Sequence, residues 1–103
     1  MPTYDFEVFL SRSVRYTVVF TTTRGKVGGF VVRLSAEVDG VWQEVRRYDT
    51  AHGVPHIDVL NKRQVTVEKL WLPQFNEDDA LIFAIEDIKT NYRTFISRYG
   101  HEN

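Results

Sequence analysis

The chain contains no cysteine in its 103 residues. That excludes disulfides and thiolate metal ligands, and it fits a reducing compartment. An excess of one charge is missing too: 13 Lys and Arg stand against 14 Asp and Glu, a formal net charge of −1 with His neutral. No global positive field draws such a protein toward nucleic acid, so any RNA contact has to come from a local basic patch. No apolar run is long enough to cross a bilayer. Met1-Pro2-Thr3-Tyr4-Asp5 lacks the basic start and apolar stretch of a secretory signal. These absences predict a soluble, cytoplasmic protein without a membrane partner. Repeats, low-complexity tracts and linkers are absent as well.

What is present suits one domain, 1–103. Hydrophobic residues make up 43% and aromatics 14% of the chain. At this length folding buries roughly 60–70% of the unfolded surface, enough for one ordinary core without staples. Phe6–Leu10 is short and apolar, and its periodicity leaves strand and helical turn both open. Val14–Thr22 alternates Val14, Tyr16, Val18 and Phe20 with Arg15, Thr17, Val19 and Thr21, a period of two in β-favouring residues. Thr23–Gly29, with Arg24-Gly25 and Gly28-Gly29, reads as a turn.

Asp39-Gly40 is the favoured pair for a two-residue type I′ hairpin turn, so Phe30–Val38 and Val41–Asp49 should pair around it. Counting outward puts Val38/Val41, Ala36/Gln43, Leu34/Val45 and Val32/Arg47 on one face, which should pack on a helix. Glu37/Trp42, Ser35/Glu44, Arg33/Arg46 and Val31/Tyr48 fall on the other, facing water or a partner. Thr50–Arg63 holds Gly53, Pro55 and Asn61 without a sustained period and reads as mostly loop. Val65–Trp71 is a further strand ended by Pro73.

Asn76 is a good N-cap, and Glu77, Asp78 and Asp79 put acids at the positive end of a helix dipole. Leu81, Ile85, Ile88, Tyr92, Phe95 and Tyr99 follow at spacings of four and three, an apolar stripe that belongs to the core. Arg93 and Arg98 lie near the negative end, and Gly100 suits the C′ position. Such a helix is about 35 Å long. The expected fold is α+β: an antiparallel sheet of four to five strands, a β-meander, packed against one long C-terminal helix.

Chemistry concentrates in one stretch, Arg46 to Asp58. Two of the three histidines, His52 and His56, sit there four apart, with Asp49, Asp58, Arg46 and Arg47. Imidazole both takes and gives a proton near neutrality. RNA cleavage through the 2′-hydroxyl needs such a base and acid, together with a cation for the phosphorane-like transition state. Arg33, Arg46, Arg47, Lys62 and Arg63 are the candidates for that cation, and Tyr48 or Trp42 can stack on a base. This reading needs no cofactor.

Two alternatives stand beside it. Asp49, His52, His56 and Asp58 offer oxygen and imidazole ligands to a divalent metal such as Mn, Zn or Ni, although Gly53 and Pro55 keep the histidines off a shared helix face. Or the loop only holds a turn, its histidines bonding backbone carbonyls and Asp49 capping it. Outside the stretch, Trp42 is expected beneath the N-terminal segment. Arg33 beside Arg46 would be two like charges unless Ser35, Glu37 or Glu44 neutralises them. Lys62-Arg63 is equally readable as a solvated loop tip, and His101 as inert.

The run Arg47-Tyr48-Asp49-Thr50-Ala51-His52-Gly53-Val54-Pro55-His56 resembles the central motif of small prokaryotic proteins related to TumE-like toxins. Their layout is similar: a sheet-forming first half, an Arg-Tyr-Asp motif, a Pro-His segment and a C-terminal helix. The resemblance implies an RNA-cleaving toxin of a toxin–antitoxin pair, neutralised by a helix-turn-helix antitoxin. It points to Arg47, Tyr48, Asp49, His52 and His56 as catalytic. Arg46 or Arg47 would then meet the phosphate and Asp49 would orient a His, with Arg33, Lys62 and Arg63 near the substrate. The chain departs from the pattern after Pro-His, where Ile57 and Asp58 stand in place of a further basic residue. The competing expectation is a non-catalytic interaction domain, a homodimer joined through an edge strand or the polar hairpin face.

Overall fold

The computed structural model describes residues 2–101, without the side chains of His52 and His101. Six strands follow one another: β1 (Thr3–Ser11), β2 (Val14–Thr23), β3 (Lys26–Val38), β4 (Val41–Asp49), β5 (His56–Leu60) and β6 (Thr66–Trp71). They form one antiparallel meander in sequence order. Helix α1 (Glu77–His101) then crosses one face, chiefly against β3 and β4.

Local chemistry explains most of this order. Asp39 and Gly40 have φ of 52° and 81°, the left-handed pair that a type I′ turn needs. Arg24 and Gly25, at 55° and 78°, turn β2 into β3 in the same way. The Asn76 side chain accepts the Asp79 N–H at 2.8 Å and caps α1. Val14, Tyr16, Val18, Phe30, Val32, Leu34 and Ala36 are buried beneath Ala80, Leu81, Ala84, Ile88 and Tyr99.

Four expectations are corrected. The strands number six, not four to five. Phe6–Leu10, open between strand and helical turn, lies within β1, while β5 arises inside the stretch expected to be loop. His56–Leu60 was hard to see because it is buried on both faces and therefore does not alternate. The Thr23–Gly29 turn is confined to its first residues, since β3 begins at Lys26 and runs through Gly28 and Gly29. Gly29 lets Thr50 approach: a Cβ there would lie 3.3 Å from Thr50 Oγ1, which accepts the Phe30 N–H. Gly100 is inside α1 rather than beyond its end.

A fifth correction decides where the functional groups point. Near the turn the pairing is as counted: Val38 faces Val41, Ala36 faces Gln43 and Ser35 faces Glu44. Val45 is then bulged out of register. Leu34 faces Arg46, Arg33 faces Arg47 and Val32 faces Tyr48. One extra residue reverses the facing of everything after it. Tyr48 therefore turns to the helix and Arg47 to the open face, the reverse of the simple count. The bulge is secured from outside the strand pair. The Gln64 side chain accepts the Glu44 N–H at 2.9 Å and donates to the Glu44 carbonyl at 2.8 Å.

Candidate functional site

After the bulge, two cross-strand rows stand side by side on the face away from α1. One runs Thr17, Arg33, Arg47, Asp58 and Lys69; the other runs Val19, Val31, Asp49, His56 and Trp71. No second layer of helix or strand covers this face among the described residues. At its centre, Asp49, His56 and Asp58 are nevertheless buried, at 7%, 2% and 5% exposure.

Their contacts are specific. His56 Nδ1 lies 3.1 Å from the Val54 carbonyl. A carbonyl only accepts, so this nitrogen carries the proton. His56 Nε2 is 3.0 Å from Asp49 Oδ1 and 3.6 Å from Asp58 Oδ2. Asp49 Oδ1 also accepts the Ala51 N–H at 2.9 Å, closing the 3₁₀ turn Ala51–Gly53. The Trp71 ring lies 5.1 Å from the imidazole. His56 bonding a backbone carbonyl and Asp49 capping the turn are the contacts of the turn-holding alternative, and both are present.

Charges surround this centre. Arg47 donates to both oxygens of Glu44, each bond 2.7 Å, and this pairing raises its already high pKa. Arg33 Nε lies 3.4 Å from the same carboxylate. The paired arginines are thus Arg33 and Arg47, not Arg33 and Arg46, and Glu44 neutralises them as its place in the strand suggested. Asp58 is less well served. Arg47 Nη1 is 4.0 Å away and Lys69 Nζ 3.5 Å, and its buried Oδ1 has no hydrogen-bond partner among the described residues.

The structure therefore assembles Asp49, His56, Asp58, Arg47 and Arg33, and it separates Tyr48, Arg46, Lys62 and Arg63 from them. Tyr48 and Arg46 lie on the helix face. Tyr48 OH donates to Asp87 at 2.6 Å and accepts from Arg46 Nε at 3.0 Å, while the Arg46 guanidinium sits 3.9 Å above the Phe95 ring. Burial is the main cause raising the Tyr48 pKa. Neither residue can serve a site on the opposite face. Lys62 and Arg63 are exposed in the β5–β6 turn, outside the cluster's ion pairs. The backbone of His52 is in the 3₁₀ turn, while its side chain lies outside the described residues, as does that of His101. Trp42 meets Phe9 of β1 edge-on and the Arg15 guanidinium on its face, so the N-terminal strand does partly cover it.

Lys69 and Trp71 were missed as neighbours of the site. A signal existed: Val67, Lys69 and Trp71 alternate along β6 and share one face. Linking that face to His56 required knowing that β5 was a strand.

The fold and site together define an α+β protein with a six-stranded meander, one face closed by a helix and the other carrying a buried Asp–His–Asp group among cations. The chain belongs to the family described as Domain of unknown function (DUF7718), whose model matches residues 1–103. No curated protein and no solved structure matches it. Among the described residues, no helix is long and apolar enough to cross a membrane.

Proposed function

We propose that this chain is a toxin-like protein acting on RNA in the cytoplasm, with the open face of the sheet as its substrate surface. The observation that carries the reading is one juxtaposition. Arg33, Arg47 and Lys69 share a cross-strand row, beside a half-exposed Trp71 and the Asp49–His56–Asp58 group. Cations near phosphates with an aromatic platform for an unstacked base are the ordinary means of holding single-stranded RNA. With a net charge of −1 any attraction to RNA has to be local, and here it rests on Arg33 and Lys69, whose side chains stay 43% and 39% exposed, because Arg47 is paired with Glu44. The motif's resemblance supplies the reaction class, phosphodiester cleavage, and the partner class, a helix-turn-helix antitoxin.

The geometry changes the roles first expected. His56 Nδ1 is held by the Val54 carbonyl, Nε2 faces two carboxylates rather than open solvent, and the ring is 2% exposed. His56 is therefore a positioning residue, and of the two histidines first expected to move protons His52, whose side chain lies outside the described residues, is the one left for that role. Expression of the wild-type chain should arrest growth and the purified protein should cut single-stranded RNA. His52→Ala should relieve the arrest while the unfolding midpoint stays within a degree or two. Wild-type protein that harms no cell and leaves RNA intact removes the reading.

A second reading has its own support: the closed state of His56 equally suits a non-catalytic domain. Its partner would be a second copy, paired along β1, an edge strand with Tyr4, Phe6 and Phe9 exposed. A stable dimer in sedimentation, without RNA binding, would favour it.

A further inference from the structure

The buried Asp–His–Asp group poses a problem of hydrogen-bond chemistry. With the proton of a neutral imidazole given to the Val54 carbonyl at Nδ1, the Nε2 lone pair faces two carboxylates, at 3.0 Å and 3.6 Å. A lone pair aimed at two anions is repulsive. Asp58 adds a second demand for positive charge. Its Oδ1 is buried without a hydrogen bond among the described residues, and the carboxylate is more than nine-tenths buried. Burying a carboxylate without close pairing is costly. The neighbouring cations do not close the gap: Arg47 is committed to Glu44 by two 2.7 Å bonds, and Lys69 is 39% exposed at 3.5 Å. A cation among Nε2, Asp49 and Asp58 Oδ2 removes the first problem, and contact with both oxygens of Asp58 removes the second.

We propose that Asp49, His56 and Asp58 bind a divalent transition-metal ion. The ligand atoms all lie within 4.8 Å of one another. For metal–ligand bonds of about 2.1 Å, neighbouring ligands stand about 3.0 Å apart at right angles and about 3.4 Å apart in a tetrahedron. The observed separations of 3.0 Å and 3.6 Å are close to those edges. The Nδ1–H bond to a backbone carbonyl is the outer contact that fixes a ligating imidazole's tautomer and aims Nε2 at the ion. One imidazole and two carboxylates suit Zn, Mn or Ni, and a dication balances the two carboxylate charges. Of the four ligands first considered, Asp49, His56 and Asp58 make up this set, and the His52 side chain lies outside the described residues. The proposal rests on three side chains alone and is independent of whether RNA is the substrate.

The competing explanation is a doubly protonated His56 paired with the two carboxylates, with no ion. Trp71 gives a direct way to decide. Its ring is 5.1 Å from the imidazole, and Trp42 is the only other tryptophan. In untagged Trp42→Phe protein, Co(II) should quench the Trp71 emission and saturate at one equivalent, and Zn(II) should displace it. Zn(II) at a hundredfold excess over its Kd should raise the Tm by roughly 10 °C. Asp58→Asn, isosteric and uncharged, should weaken Co(II) at least tenfold while the circular dichroism spectrum is unchanged; His56→Gln should do the same. Absence of quenching and of a Tm shift at millimolar metal overturns the proposal in favour of the imidazolium pair. So does an affinity unchanged by Asp58→Asn, which would place the ion elsewhere.

Discussion

Strand β4 carries an arginine and a second polar residue to each face of the sheet, and the two faces treat them differently. On the helix side, Arg46, Tyr48, Asp87 and Asn91 form a completed network. Tyr48 OH both donates and accepts, Asp87 Oδ1 accepts from Asn91 at 2.8 Å, and Arg46 lies flat on Phe95. On the open side, Arg47 is satisfied by Glu44, but Asp58 keeps a buried oxygen without a donor among the described residues and His56 aims a ring nitrogen at two carboxylates. A completed buried network holds a structure together. An incomplete one is stored demand for a ligand or a proton. On the proposed reading, stability belongs to the helix face and chemistry to the open one.

The largest expected effect tests that division directly. Asp87→Ala leaves Tyr48 and Arg46 buried without their carboxylate and should destabilise by about 2–4 kcal/mol in urea unfolding. Asp58→Asn, on the open face, should change stability by less than about 1 kcal/mol, because the lost charge was poorly paired. Equal losses in the two variants would break the comparison.

The alkaline limb of stability sharpens it. Burial pushes the Tyr48 phenol above its ordinary value. The unfolded chain ionises near pH 10 while the folded one holds its proton. The contribution is therefore complete below about pH 10 and is lost as pH rises, by about 1.4 kcal/mol per pH unit at most. Tyr99 shifts the same way through burial. Tyr48→Phe should flatten the decline above pH 10 without abolishing it. An unaltered slope in urea midpoints between pH 9.5 and 11 would mean that Tyr48 is not sealed against α1.

The smallest effects on stability belong to the exposed cations. Arg33→Ala and Lys69→Ala should each shift the unfolding free energy by less than about 0.5 kcal/mol. Each should also lower the dependence of log affinity for single-stranded RNA on log salt by about 0.7. Variants that leave the salt dependence intact would detach RNA from the open face.

Much of the fold was legible because its causes are local. Asp39-Gly40 fixed one hairpin, the β2 alternation fixed a strand, and Asn76 with the acids behind it fixed the start of α1. The site was half legible. Asp49, His56, Asp58, Arg47 and Arg33 were nominated by composition, and the structure brings them together. Arg46 and Tyr48 were nominated for the same reason and are turned the other way. Lys69 and Trp71 went unnoticed because they are distant in sequence. His56–Leu60 was hidden because burial on both faces erases the alternation by which a strand is recognised.

The amino-acid sequence by itself determined the α+β class, the main hairpin, the helix and the stretch in which polar chemistry gathers, since each depends on residues a few positions apart. Tertiary structure alone decided which side each polar group faces. That rests on a single bulged residue, Val45, secured by a glutamine side chain from the β5–β6 turn. A bulge exchanges the two faces for every later residue in the strand, and no local pattern in Val41–Asp49 announces it. The burial of His56 between Val54, Asp49 and Trp71 was decided in the same way, because it joins segments that meet only when β4, β5 and β6 are in register.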